Sequence, residues 1–283
     1  MPSVALATCA DFPDLYADDE PLRAALLARG ADPVPAVWDD PSVDWAAFDL
    51  VVIRSTWDYV ERRDAYVAWA RSVPRLANSA RVVGWNTDKT YLRDLSVPVV
   101  PTAWVTSGTL GGVLAEHGWT DVVVKPAVSA GARNTLRCNG SAEGEALLRT
   151  ILADGTAMVQ PYLAAVEEYG ERSLLFAEGT FTHAVRRNPA LSLEGESRYD
   201  ARLVTATDAE LSLAQRVLAD VGEPLLYARV DLIPDDNGDP MLMELEVTEP
   251  QLFLRFATSA AEALADAIVA RAGSAGTGTT TGS

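Results

Sequence analysis

The chain has 283 residues, 48% hydrophobic and 22% charged, with a formal net charge of −17. That mixture supports a substantial buried core, and the acidity argues against a general nucleic-acid binder, which shows a basic stripe, and against an anionic membrane surface. Cys9 and Cys138 lie too far apart in sequence to suggest a disulfide framework or zinc site, and no stretch reads as a leader or a membrane span, so a cytoplasmic location is expected.

Residues 1–87 alternate strand and helix. Apolar runs at 4–7, 34–37 and 50–53 read as strands, and the last, apolar throughout, is expected to be buried on both faces. Asp18-Asp19-Glu20-Pro21 sets acidic residues and a first-turn proline before a helix over 22–29, which Gly30 closes. A second helix is expected over 64–72. Together these make a small parallel α/β domain, ended by the Gly/Asn/Thr cluster at 84–88. Trp57 and Asp58 follow the carboxyl end of the third strand, where open α/β sheets bind ligands, and are candidates for substrate recognition.

Residues 88–156 form a second unit. A helix is predicted over 89–95, a proline-flanked strand over 99–105 and a helix over 111–117. Strands over 122–124 and 135–138 are joined by a loop, and a helix follows over 143–152. From 157 to 271 strands dominate, at 157–160, 173–177, 181–185 and 202–205, with a helix over 208–221. A hairpin pairs 227–233 with 241–247 around Asp235-Asp236-Asn237-Gly238-Asp239, and a helix over 258–271 closes the fold. Residues 272–283 are almost wholly Gly, Ser, Thr and Ala and read as a disordered tail. The fold class is thus α/β, passing to α+β in the C-terminal part.

The chain has two lysines among 23 basic side chains. A composition that favours arginine this strongly keeps lysine where a compact point charge is needed, as between phosphate oxygens. Lys125 ends the apolar run Val122-Val123-Val124 and Lys89 opens a helix behind Asp88. Ser129-Ala130-Gly131-Ala132 follows Lys125, a small-residue loop whose amides can approach phosphate. Gln160-Pro161-Tyr162-Leu163 ends a strand and suits an adenine slot as well as it suits plain core. Glu168 and Glu171 are candidate ribose ligands, with a solvated charge run the equal alternative.

In the hairpin, residues two apart share a face. Arg229 and Asp231 therefore line up on one strand, and Glu244 and Glu246 on the other. So much charge on a hairpin flanked by apolar residues points to a functional face. Its oxygen-only ligands suit Mg²⁺.

Taken in order, Lys89, Lys125, the small-residue loop, Gln160-Pro161-Tyr162-Leu163, Arg229-x-Asp231 and Glu244-x-Glu246 resemble the ATP-grasp superfamily over roughly residues 85–271, closest in pattern to glutathione synthetase and D-alanine–D-alanine ligase. The resemblance implies two ATP-clasping subdomains behind the small N-terminal domain. It implies that Lys89 and Lys125 hold ATP phosphates and that Asp231, Glu244 and Glu246 hold Mg²⁺, two ions in that family. Glu246 stands where the family usually has asparagine. Arg229 matches the arginine that stabilises the transition state. Arg186, Arg187, Arg198 and Arg202 fall in the segment that would border the γ-phosphate and substrate, and of these Arg186 and Arg198 are taken as the substrate candidates. Arg54-Ser55-Thr56-Trp57-Asp58-Tyr59 and Glu246-Val247-Thr248-Glu249-Pro250 look like small-molecule ligases of antibiotic-biosynthetic clusters, the ring-closing D-cycloserine synthetases among them. The implied reaction phosphorylates the carboxylate of a small amino-acid-like substrate and captures the acyl phosphate with nitrogen, within one molecule, as from O-ureido-D-serine, or between two. A kinase remains the rival reading, and self-association is left open.

Overall fold

The computed structural model describes residues 1–188 and 201–275. In chain order, β1 (Ser3–Thr8), α1 (Glu20–Ala28), β2 (Asp32–Val37), β3 (Leu50–Ser55), α2 (Arg63–Ser72), β4 (Leu76–Ala77) and α3 (Ala80–Asn86) build the N-terminal part. Its sheet is parallel with order β2-β1-β3-β4. Every residue of β3 is buried, as its unbroken apolar sequence requires for a strand covered on both faces. One face packs Val4, Leu6 and Val52 against α1; the other packs Ala5, Val51 and Ile53 against Tyr66 and Trp69 of α2.

The segment 84–88, read as the end of the N-terminal unit, is largely the end of a helix that the sequence reading did not assign. The Ser79 hydroxyl caps α3 by accepting from the Val82 amide. A cap five residues upstream of the glycine outweighs glycine's poor helix propensity.

The central part contains β5 (Ala103–Val105), α4 (Leu110–His117), β6 (Val122–Pro126), β7 (Leu136–Cys138), α5 (Ala142–Asp154) and β8 (Ala157–Pro161). Its antiparallel sheet has order β5-β8-β6-β7. Of the strand expected over 99–105, only the last three residues pair along a strand. Pro98 and Pro101 supply no amide hydrogen, and Val99 makes only an isolated bridge to Leu242. The helix expected over 89–95 is a short 3-10 turn, Lys89–Arg93. β8 pairs with β5 and β6, so it closes the central sheet rather than opening the C-terminal one.

The C-terminal part adds α6 (Ala165–Glu168), β9 (Glu171–Ala177), β10 (Thr180–Arg187), β11 (Ala201–Val204), α7 (Asp208–Asp220), β12 (Tyr227–Pro234), β13 (Pro240–Glu246) and α8 (Thr258–Ala275). Its antiparallel sheet has order β11-β10-β9-β12-β13. Thr207 and Glu210 form a reciprocal capping box at the start of α7, which lies against β12 and β13. α8 runs to Ala275, beyond the expected start of the tail, and returns to the N-terminal part to pack Leu264 and Ile268 with Leu22 and Leu26. Among the described residues no helix is long and apolar enough to cross a membrane.

Asn78 joins the parts. Its side-chain nitrogen donates to the carbonyls of Tyr227 and Val247, and its oxygen accepts from the Leu226 amide. The hairpin is thereby fixed against the N-terminal sheet with its backbone groups satisfied.

Candidate active site

A cavity of about 390 Å³ opens where the three parts meet. The β12–β13 register pairs Arg229 with Glu246, Val230 with Leu245 and Asp231 with Glu244. Strand alternation then sends the four charged side chains to the cavity side, while Val230 and Leu245 enter the core behind. Lys125 reaches the same space from β6, Lys89 from its 3-10 turn, and Glu171 and Arg187 from β9 and β10.

The charges are tightly coupled. Arg229 donates through Nε to Asp231 Oδ1 at 3.0 Å and through Nη2 to Asp231 Oδ2 at 2.9 Å, and Nη2 also pairs with Glu246. Arg187 bridges Asp231 and Glu171, each at 2.7 Å, and Ser173 Oγ donates to Asp231 at 2.6 Å. Lys89 Nζ donates to the Ser129 carbonyl at 2.5 Å and pairs with Glu244 at 3.1 Å. It therefore ties the small-residue loop to the hairpin. Burial favours the neutral form of Arg229, but Asp231 and Glu246 outweigh it and hold the guanidinium protonated far beyond its ordinary range. Burial also opposes the charge of Asp231, yet Arg187 and Arg229 keep it below the usual carboxylate range. Burial pushes Glu171 and Glu246 upward; the charges of Glu244 and Asp231 add to this at Glu246.

Lys125 differs from the other cations. Its amine makes no hydrogen bond or ion pair among the described residues, and burial pulls its pKa down. Beside it, Gly131, Ala132 and Asn134 all have positive φ, at 62°, 57° and 53°. Ala132 in the left-handed region marks stored strain in this loop, of the kind found where backbone amides converge on an anion. Ser129, Ala130, Gly131 and Ala132 all line the cavity.

Most sequence candidates converge here: Lys89, Lys125, Ser129, Gly131, Gln160, Tyr162, Leu163, Glu171, Arg229, Asp231, Glu244, Glu246 and Trp57. Three do not. Asp58 accepts from Trp38 Nε1 at 2.9 Å and pairs with Arg62, because the 3-10 turn after β3 points successive side chains in different directions. The Glu168 side chain is exposed on α6. Arg186 faces away from the cavity, donating to the Tyr169 and Glu168 carbonyls, while its neighbour Arg187 takes the place expected of it. Arg198 lies outside the described residues. Sequence reasoning gave no role to Phe12, Tyr16 or Glu249, all of which line the cavity. Phe12 and Tyr16 follow the carboxyl end of β1, a signal equivalent to the one that picked out Trp57.

The residues fit a nucleotide and a divalent cation. Lys125 offers an unengaged amine, and the cavity lining carries five carboxylates against four basic side chains. Added positive charge would relieve that excess. Lys89 engages Oε1 of Glu244 and Arg229 engages Oε1 of Glu246, so the other oxygen of each carboxylate remains for a metal. Asp231 already accepts from Ser173, Arg187 and Arg229. Among the described residues there is accordingly no ready-made three-ligand metal cluster. The expectation of a shared acidic face holds, but each carboxylate on it is drawn to a neighbouring cation.

The N-terminal-domain model of D-cycloserine synthetase DcsG matches residues 4–78. The cycloserine biosynthesis protein DcsG of Streptomyces lavendulae is 32% identical over an alignment 299 positions long, which covers 96% of this chain and 99% of that protein. A glutathione synthetase of Ralstonia nicotianae is 27% identical, over 88% of this chain and 72% of that one. Among solved structures, D-cycloserine synthetase DcsG superposes with a TM-score of 0.86 at 30% identity, over 95% of this chain and 99% of that one. D-alanine–D-alanine ligase of Bacillus anthracis superposes with a TM-score of 0.69 at 14% identity, over 96% and 97%, a likeness of fold.

Proposed function

The chain belongs to the D-cycloserine synthetase family of ATP-grasp carbon–nitrogen ligases, and from that premise we propose that it closes a ring within one small amino-acid-like substrate. The substrate carboxylate is activated as an acyl phosphate. A nitrogen of the same molecule then displaces phosphate, and ADP and phosphate are released. The observation that carries the reading is the meeting of the unengaged Lys125 amine and the strained Ser129–Asn134 loop with the carboxylate face of the hairpin, in one cavity.

Bound ATP, with Mg²⁺ on its phosphates, supplies the phosphoryl group. Lys125 and Lys89 hold phosphate oxygens, and the amides of the small-residue loop add donors. Glu244 and Glu246, with Asp231 beside them, would hold Mg²⁺, which would neutralise charge on the phosphates. Two ions are the family's usual number. Arg229 steadies charge developing on the reacting oxygens, while Gln160, Tyr162 and Leu163 border the base. The walls formed by Phe12, Tyr16 and Trp57 limit the space for a second co-substrate. Ring closure needs none, since an internal nucleophile has a high effective concentration.

The test is incubation of the enzyme with ATP, Mg²⁺ and O-ureido-D-serine, without added amine. Substrate-dependent ADP release with a cyclic product is expected, and Glu244→Gln should abolish it while leaving the fold intact. Dipeptide from pairs of amino acids, with that substrate inert, replaces ring closure by intermolecular ligation. A stable phosphorylated product replaces ligation by a kinase reaction.

A further inference from the structure

We propose that Glu249 is the anchor for the α-ammonium group of the amino-acid substrate, an assignment that rests on the ligase reading of the cavity. Five carboxylates line that space, and four are ion-paired, sharing three cations. Glu171 pairs with Arg187, Asp231 with Arg187 and Arg229, Glu244 with Lys89 and Glu246 with Arg229. Glu249 has no ion pair among the described residues, although it is only 7% exposed. Lys89, whose own ion pair is with Glu244, attracts it from beyond pairing distance, and the neutral Tyr59 hydroxyl hydrogen-bonds to it. A buried carboxylate without a cation is costly. A site can keep one where the ligand brings the missing charge.

The segment that carries Glu249 is held in place. The Glu249 carbonyl accepts from Trp57 Nε1 at 3.0 Å, the Pro250 carbonyl from Arg54 Nη2 at 3.0 Å and the Gln251 carbonyl from Arg229 Nη1 at 3.2 Å. Arg54 is itself buried and fixed by Asp19 at 2.8 Å. Three side chains from two parts of the fold therefore set the backbone before any ligand arrives, which is what a recognition group needs. Glu249 also sits beside the aromatic wall. The rings of Phe12, Tyr16 and Trp57 meet edge to face, with centroids 5.2–5.5 Å apart. Arg229, which bonds to this segment, also bonds to the metal-face carboxylates Asp231 and Glu246. An α-amino acid carries its ammonium on the carbon next to its carboxylate. Held by Glu249, its carboxylate would point toward Arg229 and the phosphate-side lysines. Burial, reinforced by the negative charge of Glu244, raises the free Glu249 carboxyl to about 7, a penalty that an ammonium partner would remove.

The experiment compares the wild type with Glu249→Gln and Glu249→Asp, using ATP, Mg²⁺ and O-ureido-D-serine or its N-acetyl derivative. The wild type should reject the N-acetyl form. Glu249→Gln should raise the KM for the amino acid more than ~10-fold, as expected when one partner of a buried charge pair is lost. Its ATP KM should not change, and its preference for the free amine should collapse. Glu249→Asp should recover part of that preference. Calorimetric binding of the amino acid in the presence of ADP and Mg²⁺ gives a readout independent of turnover. A wild type that accepts the N-acetyl form equally well overturns the assignment, as does a Glu249→Gln variant that keeps the full preference or loses ATP affinity in step. If ring closure proceeds while that preference survives the substitution, the anchor fails and the ligase reading stands. If the amino acid binds through Glu249 but no carbon–nitrogen bond forms, the ligase reading fails and the anchor stands.

Discussion

Glu249→Gln should change how the stability of the ligand-free protein depends on pH. In the folded chain, burial is the main force holding this carboxyl at about 7 instead of its ordinary 4.5. Glu244 acts in the same direction, while Lys89, the Tyr59 hydroxyl and Arg229 oppose it. Between those two values the native state binds the proton and the unfolded chain releases it. Stability therefore falls as pH rises through the window and levels off above about 7. At ~1.4 kcal/mol per pH unit, the difference amounts to about 3 kcal/mol at pH 8 and little at pH 5. Glutamine keeps the shape and removes the titration. Glu171 and Glu246 are also pushed upward, but they are present in both proteins and largely cancel in the comparison. Guanidinium denaturation of the wild type and the variant at pH 5 and pH 8, without nucleotide, metal or substrate, measures the effect. The variant should unfold at a higher denaturant concentration at pH 8, with the gap closing at pH 5. A gap that does not vary with pH, or a variant less stable at pH 8, would refute the view of Glu249 as a buried carboxylate lacking a countercharge.

Lys125→Arg keeps the charge but widens the head group, so ATP affinity measured calorimetrically should fall by about tenfold or more; an unchanged affinity would show that the amine does not sit between phosphate oxygens. Gly170 has φ +73°, and a Cβ there would lie 2.7 Å from the Arg187 carbonyl and 2.8 Å from Arg186 Nε. Gly170→Ala should therefore cost about 1–3 kcal/mol and disturb the Arg187 link between Asp231 and Glu171. An unchanged thermal midpoint together with unchanged turnover would count against that coupling.

Much of the site was legible because strand alternation is a strict rule. Once residues 227–233 and 241–247 are read as strands, Arg229 and Asp231 must share a face of one and Glu244 and Glu246 a face of the other; the two pairs meet because the register shifts by one residue between Asp231 and Leu232, which sets Asp231 opposite Glu244. The scarcity of lysine likewise pointed to Lys89 and Lys125, both of which line the cavity. Side chains on short turns were less legible. A 3-10 turn has no face that composition reveals, so Trp57 enters the cavity while Asp58 is bound to Trp38 and Arg62. Arg186 and Arg187 are adjacent on β10 and so lie on opposite sides of it; the sequence did not show which side faces the cavity, and Arg187 does.

By itself, the sequence determined most of the elements, the parallel character of the first sheet and which charged residues share a face of each hairpin strand, because each depends on local periodicity, capping or turn chemistry. Only the tertiary structure decided which charges neutralise one another. Lys89 reaches Glu244 across 155 positions in the chain, Arg187 reaches Asp231 across 44, and the carbonyl of Pro250 meets Arg54 across 196. It also decided that Lys125 and Glu249 remain without ion-pair partners among the described residues. Coulomb energy depends on distance in space and on the surrounding dielectric. Neither is encoded in residue order until the three sheets close around a common cavity.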